Sequence, residues 1–396
     1  MSTKTTEQAA INERPLPPGW RWVKLGEVID EAQPGFACGE RDPNGVIQLR
    51  MNNVDTRGNC VWYEFIRVPS DETTIERYRL RIGDVIFNNT NSVELVGKTA
   101  LFTGHDEPVV YSNHFTRLRT KADLLDCEYL AKWLLSQWQD KVFEGICNRW
   151  IGQSAVKNDK LVSLEIPLPP LAEQKRIAAI LKEQMAAVER AHRAAEEQLE
   201  AAKALPAAYL RQVFPRQGEP LPEDWRWVKL GEVCEFNYGE GLPAHSRDNG
   251  NFPVYGSNGI IGYHSRSITH GQTIIIGRKG SIGEVHYSNR ACWPIDTTYY
   301  IDKTKVDCEF EWLTFALKTL RLSELNKAAA IPGLNREDAY TYEIPLPPLA
   351  EQKRIATILK EKMAAVERLR KALEEQMETI NKLPAAILRK AFHGGL

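Results

Sequence analysis

The chain contains one long segment twice, and this repeat limits its fold more than any other feature. Residues 165–214 recur as residues 343–392, and about 36 of the 50 aligned positions are identical. A second repeat opens each half, because LPPGWRWVKLGEV at residues 16–28 matches LPEDWRWVKLGEV at residues 221–233. Repeated segments of this kind indicate duplicated structural units. The sequence therefore predicts two copies of one architecture.

Between the repeated ends, the two middle regions differ in sequence but share an outline. The β-branched run at residues 83–87 aligns with residues 271–275, and each run leads into a polar loop. Asp126 aligns with Asp307, and each begins a pattern rich in Trp and Leu that is typical of a helix. Since binding residues are often placed on loops above a rigid frame, a constant frame with variable loops is typical of a recognition protein.

The repeated segments predict two long helices that begin after paired prolines. Their apolar seams keep a spacing of three and four residues, which favours a coiled coil. The seam of the first helix is predicted as Ile177, Leu181, Val188, Ala191, Ala195 and Ala202, and that of the second as Ile355, Leu359, Val366, Leu369, Leu373 and Ile380. Large residues opposite alanines favour packing of the two copies on each other, antiparallel. Packing of each helix on its own domain, or in a homodimer, is the alternative.

Pro206 and Pro384 predict a kink or an end in each long helix, because proline removes a backbone donor. The first helix would then run from Glu173 to Leu205, which corresponds to a rod of about 50 Å.

Together these patterns predict an α+β protein with an internal pseudo-twofold duplication. Two globular mixed α/β recognition domains are separated by two long antiparallel helices. The predicted boundaries are an N-terminal tail at 1–14, a first recognition domain at 15–164, a first helical spacer at 165–215, a second recognition domain at 220–342 and a second helical spacer at 343–396.

Composition and motifs give little sign of catalysis. The formal net charge of −1 does not favour nucleic-acid binding, which usually requires a basic surface. The seven cysteines have no metal-site spacing, so we expect reduced thiols and no metal. No phosphate-binding loop, dinucleotide motif or metalloprotease motif occurs. No apolar run is long enough for a membrane span, and the polar N-terminus lacks signal-peptide character, so we expect a cytoplasmic protein.

The polar loops are better suited to contacts with DNA bases. Asn and Gln side chains pair with adenine edges, and Arg or Lys side chains pair with guanine. In the first domain the candidates are Asn88, Asn89, Asn91, Ser92, Lys98, Asn113, His114, Arg117, Gln153, Ser154 and Lys157. In the second domain they are Ser257, Asn258, Arg278, Lys279, Ser281, Thr297, Thr298, Asn335 and Arg336. Ordinary turn chemistry is the alternative for each of them, because Asn, Gly and Ser dominate turns.

The doubled IPLPPLAEQKRIA segment resembles the hallmark of type I restriction–modification specificity subunits. The tandem WRWVKLGEV openings, the RKGSIG and WPIDTTYY segments and the closing LPAAILRKAFHGGL strengthen the resemblance, which runs from about Leu16 to Leu396. One departure is that the first domain has NNTNSVEL where the second has RKGS. This departure implies two half-sites of different sequence.

The resemblance implies a non-catalytic subunit that binds double-stranded DNA. Each domain would read one half of an asymmetric bipartite target, and the helices would set the spacer and dock two methyltransferase subunits. Those subunits would methylate adenine at N6 with S-adenosylmethionine, and restriction subunits would add ATP- and Mg-dependent translocation and cleavage. No cofactor would bind this chain itself. The setting would be phage defence in the cytoplasm of a bacterium or an archaeon.

Other functions stay open from the sequence. The chain could serve a methylation-only assembly or another restriction-type assembly. A self-contained DNA-modifying enzyme is a second possibility, against which the missing catalytic motifs argue. A pure coiled-coil scaffold would leave the two divergent domains unexplained.

Overall fold

The computed structural model describes residues 16–324, 333–392 and 395, so the predicted tail at 1–14 lies outside the described residues. The chain divides into two compact units. Unit 1 comprises residues 1–196 and 376–396, and unit 2 comprises residues 197–375. Each unit therefore contains one mixed α/β domain, the beginning of one long helix and the end of the other.

The domain of unit 1 is built from four small sheets. Their strand orders are β2-β9-β5-β7, β4-β3-β8, β10-β11-β6 and β1-β12. The strands are β1 (Arg21–Lys24), β2 (Ile29–Pro34), β3 (Val46–Leu49), β4 (Ile66–Val68), β5 (Val85–Asn88), β6 (Thr90–Asn91), β7 (Thr99–Leu101), β8 (Val109–Tyr111), β9 (Phe115–Thr120), β10 (Asn148–Trp150), β11 (Gln153–Ala155) and β12 (Glu165–Leu168). The helices are α1 (Leu25–Val28), α2 (Glu72–Tyr78), α3 (Cys127–Gln139), α4 (Val142–Ile146), α5 (Asn158–Val162) and the first long helix α6 (Leu171–Val213).

The domain of unit 2 repeats this plan with fewer elements. Its sheets have the orders β14-β20-β17-β18, β16-β15-β19 and β13-β21. The strands are β13 (Arg226–Lys229), β14 (Asn237–Tyr238), β15 (Phe252–Gly256), β16 (Gly259–His264), β17 (Thr273–Gly277), β18 (Val285–Ser288), β19 (Trp293–Pro294), β20 (Thr298–Asp302) and β21 (Glu343–Leu346). The helices are α7 (Leu230–Val233), α8 (Phe310–Thr319), α9 (Arg336–Tyr340) and the second long helix α10 (Leu349–Phe392). The predicted fold class of two mixed α/β domains with two long helices is confirmed.

The first strand of each domain pairs with the strand that precedes the long helix. β1 is antiparallel to β12, and β13 is antiparallel to β21. The EIPL segments therefore belong to the sheets of the domains and not to the helical spacers, in which the sequence prediction placed them. Each domain extends four residues further than predicted, and its final strand leads directly into the helix.

Backbone hydrogen bonds identify the equivalent residues of the two domains. The Asn88 carbonyl at the end of β5 accepts from the Gly97 amide, and the Gly277 carbonyl at the end of β17 accepts from the Gly283 amide. Asn88 and Gly277 are therefore equivalent. The predicted alignment of the two central strands is wrong by one residue, which for a strand exchanges the two faces.

The helices α3 and α8 show a second error of alignment. The Asp126 carboxylate caps α3 by accepting from the Tyr129 amide, whereas α8 is capped by Glu309, which accepts from the Trp312 amide. Asp126 therefore corresponds to Glu309 and not to Asp307. The identical Asp-Cys-Glu runs at residues 126–128 and 307–309 favoured the wrong alignment, and glutamate is an unusual cap.

A buried glutamine joins each domain to its long helix. In unit 1 the Gln174 Oε1 accepts from the Asp126 amide at 2.8 Å, and its Nε2 donates to the Pro169 carbonyl at 2.9 Å. In unit 2 the Gln352 Oε1 accepts from the Glu309 amide at 2.8 Å, and its Nε2 donates to the Pro347 carbonyl at 2.8 Å. The repeated PLPPLAEQ motif thus encodes a hydrogen-bonded joint.

Replacing Gln352 with leucine is expected to lower the free energy of unfolding by about 3 kcal/mol, because two buried backbone groups lose their partner. Urea unfolding followed by circular dichroism measures the change. Gln376→Leu is the matched control, since Gln376 is exposed on the same helix and its replacement should change little. Equal effects of the two variants would show that the joint contributes no stability.

The long helices continue through their prolines. α6 has 43 residues with Pro206 inside it, and α10 has 44 residues with Pro384 inside it. The predicted end of the first helix at Leu205, after about 50 Å, is therefore wrong, since 43 residues rise about 65 Å. The end of each helix packs in a hydrophobic core, and this burial offsets the hydrogen bond that proline removes.

Each unit packs the beginning of one long helix with the end of the other. In unit 1, Ile177 and Leu181 of α6 share a core with Leu388 and Phe392 of α10. In unit 2 the large apolar residues of the shared core are Leu210 and Phe214 of α6 with Ile355 and Leu359 of α10. In each unit the beginning of one long helix thus packs with the end of the other, as an antiparallel arrangement requires.

The buried seam of the two long helices differs from the prediction at one residue of each helix. Ile177, Leu181, Ala195, Ala202, Ile355, Leu359, Val366, Leu373 and Ile380 are buried as predicted, and Val188 is half-buried. Ala191 is exposed and Leu369 is 43% exposed, so these two predicted seam residues are wrong. The neighbouring His192 and Arg370 are half-buried instead. At one predicted position of each helix the seam therefore lies one residue later than predicted.

Candidate nucleic-acid interface

In unit 2 the polar loop after β17 is shaped by glycines. A side chain at Gly277 would overlap the Ser281 carbonyl oxygen, so only glycine fits there. Gly280 has a φ of +77°, a conformation that favours glycine. The tight turn presents Arg278 and the exposed Lys279 on its outer side. The amides of both residues donate to the Thr297 carbonyl, which fixes the loop against the chain that enters β20.

Three predicted segments of unit 2 meet around one tyrosine. The guanidinium carbon of Arg278 lies 5.0 Å from the centroid of the Tyr238 ring, and that of Arg336 lies 5.5 Å from it. Arg278 also lies 5.8 Å from the Tyr299 ring and donates to the Asp296 carbonyl at 3.1 Å. Tyr238 itself is 52% exposed. Two cations held on an exposed aromatic ring can contact phosphates, guanine edges or base faces.

The second tyrosine of this group has a structural role. Tyr299 is buried and donates through its hydroxyl to the Leu334 carbonyl at 3.0 Å. Burial raises the pKa of Tyr299 to about 12, so the phenol keeps its proton at neutral pH. Tyr299 therefore anchors the loop that precedes α9 beneath Arg278. Tyr299 belongs to the predicted polar segment at residues 296–299, but nothing in the sequence singled out Tyr238, since aromatic residues in short strands are more often part of a core.

The other candidates of unit 2 lie around the same loop, except for one buried residue that cannot belong to the interface. The Ser257 carbonyl lies 3.2 Å from His286 Nε2, and the Ser257 hydroxyl would contact a side chain at Gly280. Asn258 is exposed, and Ser281 and Thr297 are half-buried. Asn335 caps α9 by accepting from the Glu337 amide at 2.9 Å, but it stays exposed. Thr298 is fully buried and donates to the Ile295 carbonyl, so it is withdrawn from the candidate interface.

In unit 1 the polar loop after β5 is held together by hydrogen bonds from its own asparagine side chains. The Asn88 Nδ2 donates to the carbonyls of Thr90 and His114, and its Oδ1 accepts from Asn91 Nδ2 at 2.6 Å. The Asn91 Oδ1 accepts in turn from the Ser92 amide. Asn88 is fully buried, so it shapes the loop and is withdrawn as a base-contacting residue. Asn89, Asn91 and Ser92 remain half-buried at the surface.

Two cationic candidates of unit 1 are internal. Lys98 is 6% exposed and donates to the Val54 carbonyl at 2.6 Å, and burial lowers the pKa of its amine. Arg117 is 2% exposed and donates to Glu31 at 2.6 Å and to the Arg79 carbonyl at 2.9 Å. Both side chains are buried and donate to groups within the domain, so both are withdrawn. Ser154 is also withdrawn, because it is fully buried in β11.

The remaining candidates of unit 1 surround the hairpin of β10 and β11. Asn113, Gln153 and Lys157 are exposed, and His114 is half-buried. Burial is the main cause that lowers the pKa of His114, which favours the neutral ring. At the tip of the hairpin, Trp150 is 60% exposed and Ile151 is fully exposed. The sequence predicted a polar stretch at residues 150–157 that includes both residues, but the exposure of their apolar side chains is visible only in the structure.

Other kinds of site receive no support from the part of the chain that the structure describes. Over residues 16–324 and 333–392, no group of three or more His, Cys, Asp or Glu side chains could hold a metal ion. Among the same residues, no helix has both the length and the apolar character of a membrane span. The two polar loops and the residues around them are therefore the main candidate site of each domain.

The geometry defines a duplicated protein in which equivalent loops of the two domains differ in chemistry. The sequence model of the family described as type I restriction modification DNA specificity domain matches residues 17–201 and 222–379. The chain belongs to the family of type I restriction–modification specificity subunits.

Relatives and solved structures agree with this family. A protein of Methanocaldococcus jannaschii assigned as the specificity subunit of the type I restriction enzyme MjaX is 27% identical over 96% of this chain and 94% of its own length. The specificity subunit of EcoDI from Escherichia coli is 25% identical over 44% of this chain and 39% of its own. The HsdS subunit of Thermoanaerobacter tengcongensis has a TM-score of 0.64 and 28% identity over 97% of this chain and 99% of its own. A chain from a study of the assembly and conformational transition of the type I R-M system has a TM-score of 0.77 and 28% identity over 97% and 100%.

Proposed function

We propose that this chain binds DNA and that each domain recognises one half of an asymmetric bipartite target. One observation supports this most strongly. The two domains share one backbone frame, yet the loop at the end of the central strand is rich in neutral amides in unit 1 and cationic in unit 2. Different chemistry at equivalent positions of a duplicated frame is what two unlike half-sites require.

The net charge of −1 fits this function if partner subunits supply most phosphate contacts. Phosphate contacts dominate the affinity of proteins for DNA, whereas base contacts determine specificity. A specificity subunit then needs only local cationic groups. Arg278, Lys279 and Arg336 are such groups in unit 2, and Lys157 is one in unit 1.

We further propose that the chain itself catalyses nothing and works within an assembly. Its long helices would set the spacer between the half-sites and bind two methyltransferase subunits, and restriction subunits would complete the complex. S-adenosylmethionine, ATP and Mg would bind those partners, and the methylated atom would be N6 of adenine. An assembly that only methylates is the alternative.

Single-molecule sequencing of genomic DNA for N6-methyladenine tests this proposal in cells with and without the gene. We expect one bipartite motif to lose its methylation when the gene is removed, because the methyltransferase would then have no target selection. Restoring the unchanged gene on a plasmid should restore the motif.

Retention of every motif while the partner genes are expressed would contradict the proposal. A separate assay uses the purified chain with labelled S-adenosylmethionine and duplex DNA. We expect no methyl transfer by the isolated chain, and transfer would favour a self-contained enzyme.

A further inference from the structure

We infer that one equivalent pair of residues, Asn89 in unit 1 and Arg278 in unit 2, contacts a base in each half-site. Asn89 would prefer adenine and Arg278 would prefer guanine. The inference rests on the proposed DNA-binding function and deepens it, since it assigns base preferences to named positions.

The amide groups of the two residues make the same backbone contact. The Asn89 amide donates to the His114 carbonyl at 3.0 Å, and the Arg278 amide donates to the Thr297 carbonyl at 2.9 Å. Each residue directly follows its central strand, and each acceptor lies next to the strand β9 or β20 that pairs with it. The two side chains therefore start from the same place on the frame.

The carbonyl groups of the two residues are also used alike. The Asn89 carbonyl accepts from the Val156 amide at 2.9 Å, and the Arg278 carbonyl accepts from the Leu334 amide at 2.9 Å. Both donors belong to the segment that leads to the short helix α5 or α9. Because amide and carbonyl are fixed in both domains, the side chain is the variable part of this position.

The Asn89 side chain is oriented and keeps free capacity for hydrogen bonds. Its Nδ2 donates to Thr116 Oγ1 at 3.1 Å, and its Oδ1 accepts from Thr90 Oγ1 at 2.7 Å. A carboxamide has two donor hydrogens and two acceptor lone pairs, so one of each remains. One donor and one acceptor are what an adenine edge requires at N7 and N6.

The Arg278 side chain is oriented by different contacts. Its planar group lies against the rings of Tyr238 and Tyr299, and its Nη1 donates to the Asp296 carbonyl. A guanidinium has five N–H donors and no acceptor, so donors remain for O6 and N7 of guanine, both of which accept. Contact with the two rings restrains the group before DNA binds, which lowers the entropy cost of a bidentate contact.

At two neighbouring positions, unit 2 again has an arginine or a tyrosine where unit 1 has a different residue. Asn158 Nδ2 donates to the Ala32 carbonyl at 3.1 Å, and at the equivalent position Arg336 Nη1 donates to the Phe236 carbonyl at 3.5 Å. Pro34 pairs with Thr116, whereas Tyr238 pairs with Tyr299. Unit 2 thus combines arginines with tyrosines where unit 1 has neutral residues, which suits a guanine-containing half-site in unit 2.

The test compares the sequences that the full chain selects, in complex with its methyltransferase partners, from a pool of duplex DNA with randomised half-sites. We expect Arg278→Asn to replace guanine by adenine at one position of the second half-site and to leave the first half-site unchanged. The preference for the old base should fall about 5- to 140-fold, the range of one bidentate contact. Arg278→Lys should keep guanine, and Arg290→Asn is the control at an exposed arginine.

The outcomes separate this inference from the proposed function. If the wild-type complex selects no bipartite sequence, the proposed function is wrong. If it selects one and Arg278→Asn weakens binding evenly without changing any preferred base, Arg278 contacts only phosphate and the inference is wrong. Loss of both half-sites by Arg278→Asn and by Arg278→Lys would mean that Arg278 is needed for folding, which also contradicts it.

Discussion

Replacing Leu373 with aspartate is expected to lower the free energy of unfolding by about 4 kcal/mol or more. Leu373 is only 7% exposed on the second long helix, so the variant loses apolar burial and places a carboxylate where water is excluded. Such a loss is a large part of the 5–15 kcal/mol that typically stabilises a protein. Thermal unfolding followed by circular dichroism at 222 nm measures it.

The matched control is Leu369→Asp, one helical turn earlier. Leu369 is 43% exposed, so this variant should change stability by less than about 0.5 kcal/mol. Similar losses in both variants would mean that the seam includes Leu369 after all. Size-exclusion chromatography of the Leu373→Asp protein adds a second criterion, because a mere shift from dimer to folded monomer would favour packing between two chains.

Replacing Phe392 with alanine is expected to destabilise unit 1 by about 3–5 kcal/mol. The Phe392 ring is buried against Tyr129, with 5.3 Å between the ring centroids. Tyr129 donates in turn to the Pro167 carbonyl at 2.6 Å, so the cavity would open beside the joint between domain and helix. Urea unfolding followed by tryptophan fluorescence measures the loss, since Trp133 lies in the same core.

Leu383→Ala provides the comparison for this variant. Leu383 is 38% exposed on the same helix, so its truncation should cost less than about 1 kcal/mol. If Phe392→Ala is no more destabilising than Leu383→Ala, the end of the second long helix does not contribute to the core of unit 1.

The sequence was sufficient for the duplication, the domain types and the presence of both long helices. It was not sufficient for the seam, because hydrophobicity alone favours Leu369 over its neighbour Arg370. The structure half-buries Arg370, whose aliphatic stem can cover apolar surface while its charged end pairs with Glu367. Seam residues can be separated by three and then four residues, or by four and then three. Only the packing of the helices shows which order applies.

The candidate interface could be predicted in outline only. Position in the chain indicated the loops, but polarity did not distinguish a side chain that faces solvent from one that holds the loop together. Lys98 and Arg117 are cationic and belong to the interior, whereas Tyr238 is aromatic and lies at the surface. Each of these placements depends on partners distant in sequence, such as Val54 for Lys98 and Arg278 for Tyr238.

The division of the chain into units also determines the order in which they can be completed during synthesis. Unit 2 is one continuous segment, residues 197–375, whereas the core of unit 1 includes Leu388, Ala391 and Phe392 from the end of the second long helix. The domain that is translated first therefore stays incomplete until the ribosome has made the last turns of the second long helix. A premature stop codon shortly before Leu388 would damage the recognition domain of unit 1, which is encoded far upstream.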